Sequence, residues 1–524
     1  MNITLLAINS KYVHSSLAVW QLASGLRMHC RQPHDVNVIE ATINQDCAQI
    51  VARIIAQQPD VLGISTYIWN AGMLPQLLVL LRAQLPSLTI VLGGPEPSHN
   101  KEHWLANGAD YVITGAGEQP FAALIDSLAG DTNNSTPLPV DPYSEDYFRT
   151  LGGRIAYIET SRGCPFCCTY CLSGESKLEF LSLDMVKAQI TKLAFSGTRT
   201  IKFVDRTFNA NAQRAYNIWA HVLSLDSDCC FHFEVAADLF NETSLQLLSR
   251  AAPGRIQLEI GLQSFHQPTL AAVQRSTNLE LAEENIRCIL AHGNIHVHVD
   301  LIAGLPHESL AAFAQSYNRA YALGAHKLQL GFLKLLHGSK LRSQAQTLGL
   351  VYQQEPPYEI ISSPWMSEND LQWLNIAENA LQHTYNQGRF LSALDYVLSA
   401  SQLAPLDLFH GMGSAVLHQA TPLAEYTMQL YAYFGTLPHV DKKALRDHLR
   451  CDLLRTTRGQ CMPAFLQCDG KARKQVMQRA SEMLARPISA KETAVLEDGR
   501  GVYIDSTQRN PVTGLYPIYF LQLQ

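Results

Sequence analysis

The sequence is poor in charge and has no long apolar run. Charged residues make up 16% of its 524 residues, and 40 Lys and Arg against 46 Asp and Glu leave a formal net charge of -6. Such a chain has no basic field to hold a nucleic-acid backbone, which excludes bulk nucleic-acid binding. No stretch approaches the roughly 20 apolar residues that a membrane-spanning helix needs, so no membrane association is expected.

Two further patterns are missing. The opening MNITLLAINSKYVHSS lacks the basic start and long apolar stretch of a secretory signal, so we expect a cytoplasmic protein whose cysteines stay reduced. No G-x-G-x-x-G followed by an acidic residue occurs in the N-terminal loops, which disfavours a nicotinamide site. With 47% hydrophobic residues, the chain is instead predicted to fold into several α/β domains around local sites.

Residues 1–133 alternate short apolar runs with amphipathic segments, which predicts a doubly wound, Rossmann-like α/β domain. Its predicted strands are 3–8, 36–41, 61–66, 88–94 and 111–114. Ligands of such sheets bind at the carboxyl ends of the strands. Polar and small residues fall there: Tyr12, His14, Ser65, Thr66, Gly93, Gly94, Pro95, Gly115 and Gly117.

Residues 134–153 are rich in Pro, Asn, Ser and Asp and read as a linker. A second alternating set over 154–350 predicts a partial (β/α)6 barrel with its chemistry at the carboxyl ends of the strands. The predicted strands are 155–160, 199–205, 231–238, 255–262, 296–304 and 327–335. Residues 351–524 are predicted to be mostly helical, with helices over 367–387 and 421–435 and a terminal β-hairpin.

Four of the twelve cysteines crowd into SRGCPFCCTYCLSG, after the first strand of the barrel. Cys164, Cys168 and Cys171 have the spacing C-x3-C-x2-C, and three thiolates on a tight loop can hold an iron-sulfur cube with one iron left open. A four-thiolate zinc knot that includes Cys167 remains an alternative from spacing alone. The eight scattered cysteines are expected to be small buried side chains.

The cysteine segment resembles the cluster loop of the radical S-adenosylmethionine (radical SAM) superfamily, whose C-x3-C-x-aromatic-C pattern is completed by Tyr170. The resemblance implies that Cys164, Cys168 and Cys171 are the catalytic, metal-ligating residues of a [4Fe-4S] cluster and that Cys167 is a spare. S-adenosylmethionine would bind the open iron and be cleaved by one electron to methionine and a 5'-deoxyadenosyl radical.

Segments around the barrel extend the resemblance: FVDRTFN, LEIGLQSF and DLIAGLPHES. They and the strand FHFEVAAD imply a set of cofactor-binding residues: Asp205, Asn209, Glu234, Glu259, Gln263, Ser264 and Gly304. His307 stands where the superfamily usually has glycine. His296 and His298 share a strand face, which allows a metal pair or, more simply, barrel-lining groups.

The N-terminal domain resembles the cobalamin-binding domain of cobalamin-dependent radical enzymes, on LAINSKYVHSSLAVWQL, GISTYIWN, VLGGPEPS and ITGAGEQPF. The resemblance places cobalamin against the polar and small residues at the strand ends, from Tyr12 to Gly117. The D-x-H-x-x-G motif that supplies an axial histidine in many cobalamin enzymes is absent, and His14 is the candidate in the equivalent loop. A domain of this type that binds nothing is the alternative.

Together these resemblances imply a cobalamin-dependent radical SAM methyltransferase that methylates an unactivated carbon of a small-molecule substrate. Its electron donor would be a flavodoxin or ferredoxin. A non-methylating cyclase or rearrangement enzyme, or a non-catalytic zinc or cobalamin binder, is the alternative. A methylthiotransferase is disfavoured because the N-terminal region holds only Cys30 and Cys47. PPYEIISSPWMSENDLQWLNIAENAL resembles the uncharacterised domain that follows the radical core in one cobalamin-linked subfamily.

Overall fold

A computed structural model describes residues 1–131, 140–174, 176–416, 422–456 and 462–523. The described chain divides into two compact units. The first comprises 1–247, 273–276 and 333–364, and the second comprises 248–272, 277–332 and 365–524. No helix in these residues has the length and apolarity that crossing a membrane requires.

The first unit opens with the predicted doubly wound sheet. Its five parallel strands have the order β2-β1-β3-β4-β5. The interior strand β1 is buried along nearly its whole length, as expected of a strand covered by helices on both faces. In chain order the elements are β1 Asn2–Asn9, α1 Leu17–His29, β2 Asp35–Thr42, α2 Cys47–Ile55, β3 Val61–Ser65, α3 Ile68–Ala71, α4 Leu74–Gln84, β4 Thr89–Gly93, α5 Pro95–Ser98, α6 Lys101–Ala106, β5 Tyr111–Ile113 and α7 Glu118–Leu128.

The second α/β series begins in the same unit. Of the stretch 134–153 predicted as a linker, residues 134–139 lie outside the described residues. The remainder includes the helix α8, whose N-cap Ser144 accepts a hydrogen bond from the Tyr147 amide. The parallel strands are ordered β6-β9-β10, and β7 pairs antiparallel with β8. The elements are α8 Glu145–Leu151, β6 Ala156–Ile158, β7 Ser161–Arg162, β8 Glu179–Phe180, α9 Leu183–Ala194, β9 Thr200–Phe203, α10 Ala212–Ser224, β10 Cys230–Val235 and α11 Glu242–Leu248, with 3-10 turns at Phe208–Ala210 and Ala237–Leu239.

The second unit continues the series with three parallel strands in the order β11-β12-β13. Alternate residues of β11 are fully buried, and those between them are half-buried and mostly polar. This alternation is typical of barrel strands with one face on helices and one face on an interior that is not filled by apolar side chains. The elements are β11 Ile256–Gln263, α12 Gln267–Ala272, α13 Leu279–Ala291, β12 His296–Ala303, α14 Leu310–Tyr321 and β13 Lys327–Phe332.

After β13 the chain returns to the first unit and then completes the second. The returning segment holds the short helix α15 Lys340–Ser343 and an antiparallel pair, β14 Val351–Tyr352 with β15 Ile360–Ser362. The C-terminal part is helical and ends in the predicted hairpin, β17 with β18, to which β16 adds a third strand. Its elements are α16 Glu368–His383, α17 Leu391–Ser401, α18 Pro405–Ala415, α19 Leu423–Phe434, α20 Lys442–Thr456, α21 Gly470–Leu484, β16 Thr493–Val495, β17 Gly501–Ile504 and β18 Ile518–Leu521, with 3-10 turns at Tyr385–Gln387, Ala464–Leu466 and Ala490–Glu492.

The fold class predicted from the sequence is therefore confirmed. Every predicted parallel strand is present, with ends that differ by at most three residues. Of the scattered cysteines predicted to pack, Cys47 and Cys229 are buried, and those described elsewhere are half-buried. Cys461 lies outside the described residues.

Candidate cobalamin and cluster site

A cavity of about 500 Å³ in the first unit lies at the carboxyl ends of β3, β4 and β5. This edge of the sheet is where a doubly wound domain binds its ligands. The cavity brings together most of the small and polar residues that the sequence predicted there. They are Ser65, Gly93, Gly94, Pro95, Gly115 and Gly117.

Gly94 shapes this wall because no other residue fits its backbone. Its φ is +110°, and a Cβ built on it would lie 2.5 Å from the carbonyl oxygen of Thr66. The Thr66 amide in turn donates to the carbonyl of Gly93 at 2.7 Å. Thr66, predicted to face the cofactor, is fully buried behind the cavity wall and does not line it. The close contact that requires glycine is therefore between the two loops themselves.

Tyr12 and His14, in the loop after β1, are not brought to the cavity. The His14 ring nitrogen Nδ1 lies 2.6 Å from the Tyr157 hydroxyl, and Ser15 donates to the Ile155 carbonyl at 2.7 Å. Burial and the charge of Lys202 lower the pKa of His14. The loop is thus used to join the first sheet to the start of the second series, and Tyr12 is exposed. An axial role for His14 stays a prediction that this conformation does not support.

The cysteine loop follows β7 and is closed by tight backbone contacts. Gly163, at φ +87°, precedes Cys164, and a Cβ there would lie 2.2 Å from the Lys177 carbonyl oxygen. A Cβ on Gly174 would lie 2.8 Å from the Cys168 carbonyl oxygen. The Cys171 amide donates to the carbonyl of Cys168 at 3.1 Å. Two glycines with no room for a side chain therefore hold the compact turn that the spacing predicted.

The three predicted cluster ligands are less exposed than the spare cysteine. Cys168 is buried, Cys164 and Cys171 are half-buried, and Cys167 is exposed. Three thiolates on one compact turn can hold an iron-sulfur cube with one iron left open. This donor set fits a [4Fe-4S] cluster on Cys164, Cys168 and Cys171.

The cavity reaches from the small-residue wall to the cysteine loop. Leu172 and Ser173, directly after Cys171, line it together with Arg162 and Arg206. The Ser173 amide donates to the Cys171 sulfur at 3.4 Å. A ligand against the glycines would therefore also lie beside the loop that holds the predicted cluster.

An ion-pair network in the cavity wall was not found from the sequence. Arg162 pairs with Glu118 and with Glu159 at 2.7 Å, and Gln21 donates to Glu159 at 3.0 Å. Burial lowers the pKa of Arg162, but the hydrogen bonds and charges of both carboxylates outweigh burial and raise this pKa overall. All four residues also line a second cavity of about 290 Å³. No motif marks this network, because Gln21 and Glu118 come from segments distant from Glu159 and Arg162.

Asp205 and Asn209 use their side chains inside the protein. Asp205 is buried and accepts from the amide and hydroxyl of Thr160, at 3.0 and 2.7 Å, and from the Ser161 hydroxyl. Burial raises its pKa, against the effect of these hydrogen bonds. The Asn209 amide group bonds the backbone of Ala236 in both directions, at 2.8 and 2.9 Å. Both residues position loops, and a direct contact with a cofactor stays a prediction. Glu234 is half-buried on β10.

In the second unit, the predicted Glu259 meets two further polar residues on β11 and β12. The His298 Nε2 lies 2.8 Å from an Asp300 oxygen, and its Nδ1 lies 3.8 Å from a Glu259 oxygen. Glu259 and His298 are register partners. An acidic, histidine-bearing surface therefore lines the polar face of these strands. His296 instead stacks on His326 and does not share a group with His298.

The loops after β11 and β12 are joined through a buried carboxyl group. Ser264 donates to Glu308, and Ser316 donates to the same oxygen at 3.2 Å. Burial raises the pKa of Glu308 to about 7. The neighbouring Gln263 and Gly304 both have positive φ. His307 has φ +64°, the backbone conformation that favours the glycine usual in the superfamily, and its ring lies 4.4 Å from that of Trp365.

Three protein families match successive parts of the chain. The B12 binding domain matches residues 3–125, the radical SAM superfamily matches 158–320, and a protein family of unknown function, DUF4080, matches 346–498. Residues 158–320, which include the cysteine loop and most of the second series of strands, are thus a radical SAM domain. A B12 binding domain in front of a radical SAM domain is the arrangement of the cobalamin-dependent radical SAM enzymes, and the unknown-function domain is a C-terminal addition to it.

Relatives of this kind are distant. The chain is 23% identical over 320 residues to an uncharacterized methyltransferase of Pyrococcus horikoshii, a match that covers 53% of this chain and 68% of that protein. It is 22% identical over 317 residues to the cobalamin-dependent radical SAM methyltransferase TokK of Streptomyces tokunonensis, covering 52% of this chain and 46% of TokK. Among solved structures, the radical SAM methyltransferase TsrM of Kitasatospora setae, with cobalamin and a [4Fe-4S] cluster bound, superposes with a TM-score of 0.56 at 17% identity, covering 68% of this chain and 82% of TsrM.

Proposed function

We propose that this chain is a methyltransferase that transfers a methyl group to an unactivated carbon of a small molecule. The cofactors are a [4Fe-4S] cluster, S-adenosylmethionine and cobalamin. With all three bound, they supply reductive cleavage of the sulfonium and carriage of the methyl group. The observation that carries the proposal is that one continuous cavity is bounded by Gly94 on one side and by Leu172 and Ser173 on the other.

The protein's own contribution is to position the cofactors and to exclude water. The glycine wall presents backbone without side chains, so that a flat macrocycle can approach the sheet. The buried Asp205 fixes Thr160 and Ser161, which lead into the cysteine loop. The Arg162 network keeps two carboxylates of the cavity wall paired. Carboxylates paired with a guanidinium do not need water to solvate their charge. Methyl transfer between cofactors and substrate depends on such fixed geometry.

The cysteine assignment is tested by comparing Cys164→Ala, Cys168→Ala and Cys171→Ala with the matched control Cys167→Ala. After anaerobic reconstitution, the first three are expected to lose the cluster and to form no 5'-deoxyadenosine. The control is expected to keep both, because Cys167 is exposed and outside the ligand spacing. Undiminished cleavage by Cys164→Ala, or a colourless wild-type protein with zinc and no sulfide, would contradict the assignment.

The reaction type is tested with S-adenosylmethionine carrying a deuterated methyl group. Metabolites of cells that express the wild type are compared with those of cells that express Cys164→Ala. A product that carries the label only in the wild-type cells supports methylation. An unlabelled, enzyme-dependent product would instead favour the cyclase or rearrangement alternative.

Three further points belong to the same proposal. The domains are proposed to end at residues 133 and 350, with a linker over 134–153 between the first two. The three family matches follow one another in the same order as these domains, which supports the division. A flavodoxin or ferredoxin would supply the electron, since the cluster must be reduced before each cleavage. A cytoplasmic location would keep the thiols of the cysteine loop reduced for cluster assembly.

A further inference from the structure

A short segment of the chain, 273–276, lies against the cysteine loop in the first unit. The Thr169 amide donates to the Val273 carbonyl at 3.0 Å, and the Thr169 carbonyl accepts from the Leu341 amide at 2.8 Å. Thr169 stands between Cys168 and Tyr170, and it is buried. Both backbone groups of the residue next to Cys168 are therefore fixed by this packing.

The same segment brings a cation to the Cys168 sulfur. The Arg275 nitrogen Nη1 lies 3.7 Å from the Cys168 Sγ and 3.4 Å from the Tyr170 hydroxyl. Thr207 and Ser173, which contact the sulfurs of Cys164 and Cys171, offer a neutral hydroxyl and a neutral amide. Cys168 is thus distinguished from the other two by a guanidinium, which stays charged at any physiological pH.

We propose that Arg275 is a positioning residue that stabilises the reduced form of the cluster through its hydrogen bond to the Cys168 sulfur. The proposal rests on the proposed function, because it requires Cys168 to be a cluster ligand. Reduction adds one electron from an external donor, and the cluster with its three thiolates gains one negative charge without forming or breaking a bond. A nearby cation favours the more negative state. Loss of the cation therefore lowers the reduction potential.

The test compares the wild type with Arg275→Met, Arg275→Gln and Arg275→Lys in the full-length chain, reconstituted to equal iron and sulfide. Samples without substrate are poised with dithionite and redox mediators, and the reduced cluster is quantified by electron paramagnetic resonance. At a potential that half-reduces the wild type, we expect the ratio of reduced to oxidised cluster to fall about tenfold in the two neutral variants, a shift of about 59 mV. Arg275→Lys keeps the charge and is expected to lie between them and the wild type.

Tyr170→Phe is the matched control, because it removes a neutral hydroxyl that contacts both Arg275 and the Cys168 sulfur without changing any charge. Its potential is expected to stay closer to that of the wild type than the potentials of Arg275→Met and Arg275→Gln do. A role confined to packing would leave the potential of a fully loaded neutral variant unchanged, and that result overturns the proposal. If Arg275→Met takes up no iron, Arg275→Gln decides. If both neutral variants stay empty, a full cluster in Arg275→Lys supports the need for a cation, and an empty Arg275→Lys refutes it.

A wild-type chain that forms no cluster would be a failure of the proposed function itself. That outcome is distinguishable from failure of the inference about Arg275, in which the wild type and the variants carry equal clusters at equal potentials.

Discussion

Gly94→Ala tests whether the glycine wall of the cavity sets the cobalamin affinity. The position has φ +110° and ψ 179°, a region that only glycine occupies readily. An added Cβ would also lie 2.5 Å from the backbone oxygen of Thr66, so the loop after β4 has to move. The strain alone costs about 1 to 3 kcal/mol. If the loop after β4 relaxes in the free variant, cobalamin binding must restore its strained conformation. The strain energy then weakens binding by about 5- to 150-fold.

The assay is titration of the purified chain with hydroxocobalamin, followed by absorbance, together with thermal unfolding of the free protein. Gly72→Ala is the matched control, because its φ is -65° and an added Cβ would meet nothing within 4 Å. We expect the control to bind like the wild type. Gly94→Ala should bind hydroxocobalamin more weakly, unfold at a lower temperature, or both. If Gly94→Ala has the cobalamin affinity and the melting temperature of the wild type, the glycine wall does not set the affinity.

The buried carboxyl of Glu308 has a pKa raised to about 7. Between the pKa of a free glutamate and this value, the folded protein keeps the carboxyl proton that the unfolded chain has already lost. Stability should therefore fall by on the order of 3 kcal/mol as pH rises from about 4 to 7, and Glu308→Gln should flatten this dependence in chemical denaturation. His14→Ala should leave the cobalt spectrum of bound cobalamin unchanged, since His14 does not line the cavity; an altered spectrum would restore its axial role. Arg162→Met should weaken cobalamin binding about tenfold by leaving Glu118 and Glu159 unpaired, and wild-type affinity would argue against this.

The positions of the strands along the chain were predictable because apolar runs and turn residues are local signals. All eleven parallel strands follow from them, and so does the cysteine turn, whose ligand spacing spans only eight residues. The glycines of the cavity wall were predicted for the same reason, since small residues directly after a strand mark a ligand edge. What the pattern did not show is that Gly94 faces a neighbouring loop as well as the cavity.

The contacts missed from the sequence are those between distant segments. Arg275 reaches a sulfur more than a hundred residues before it, and Arg162 pairs with a carboxylate of the first domain. Neither arginine stands in a motif, so only the fold reveals its partner. Asp205 and Asn209 did stand in a motif, yet their position left open whether they contact a ligand or hold a loop. The hydrogen bonds to Thr160 and Ala236 show that both residues hold loops, and their contact with a cofactor stays a prediction.

The segment 333–364 explains how one unit holds both walls of the cavity in a fixed relation. Its Tyr358 hydroxyl donates to Glu96 at 2.6 Å, and Glu96 directly follows the Gly94–Pro95 wall. Its Leu341 amide donates to Thr169 in the cysteine loop. Two walls that are separated by about 70 residues are thus tied to one short stretch, part of which falls within the match to the domain of unknown function. Because methyl transfer tolerates little change in distance, this segment contributes to the site although none of its residues lines the cavity.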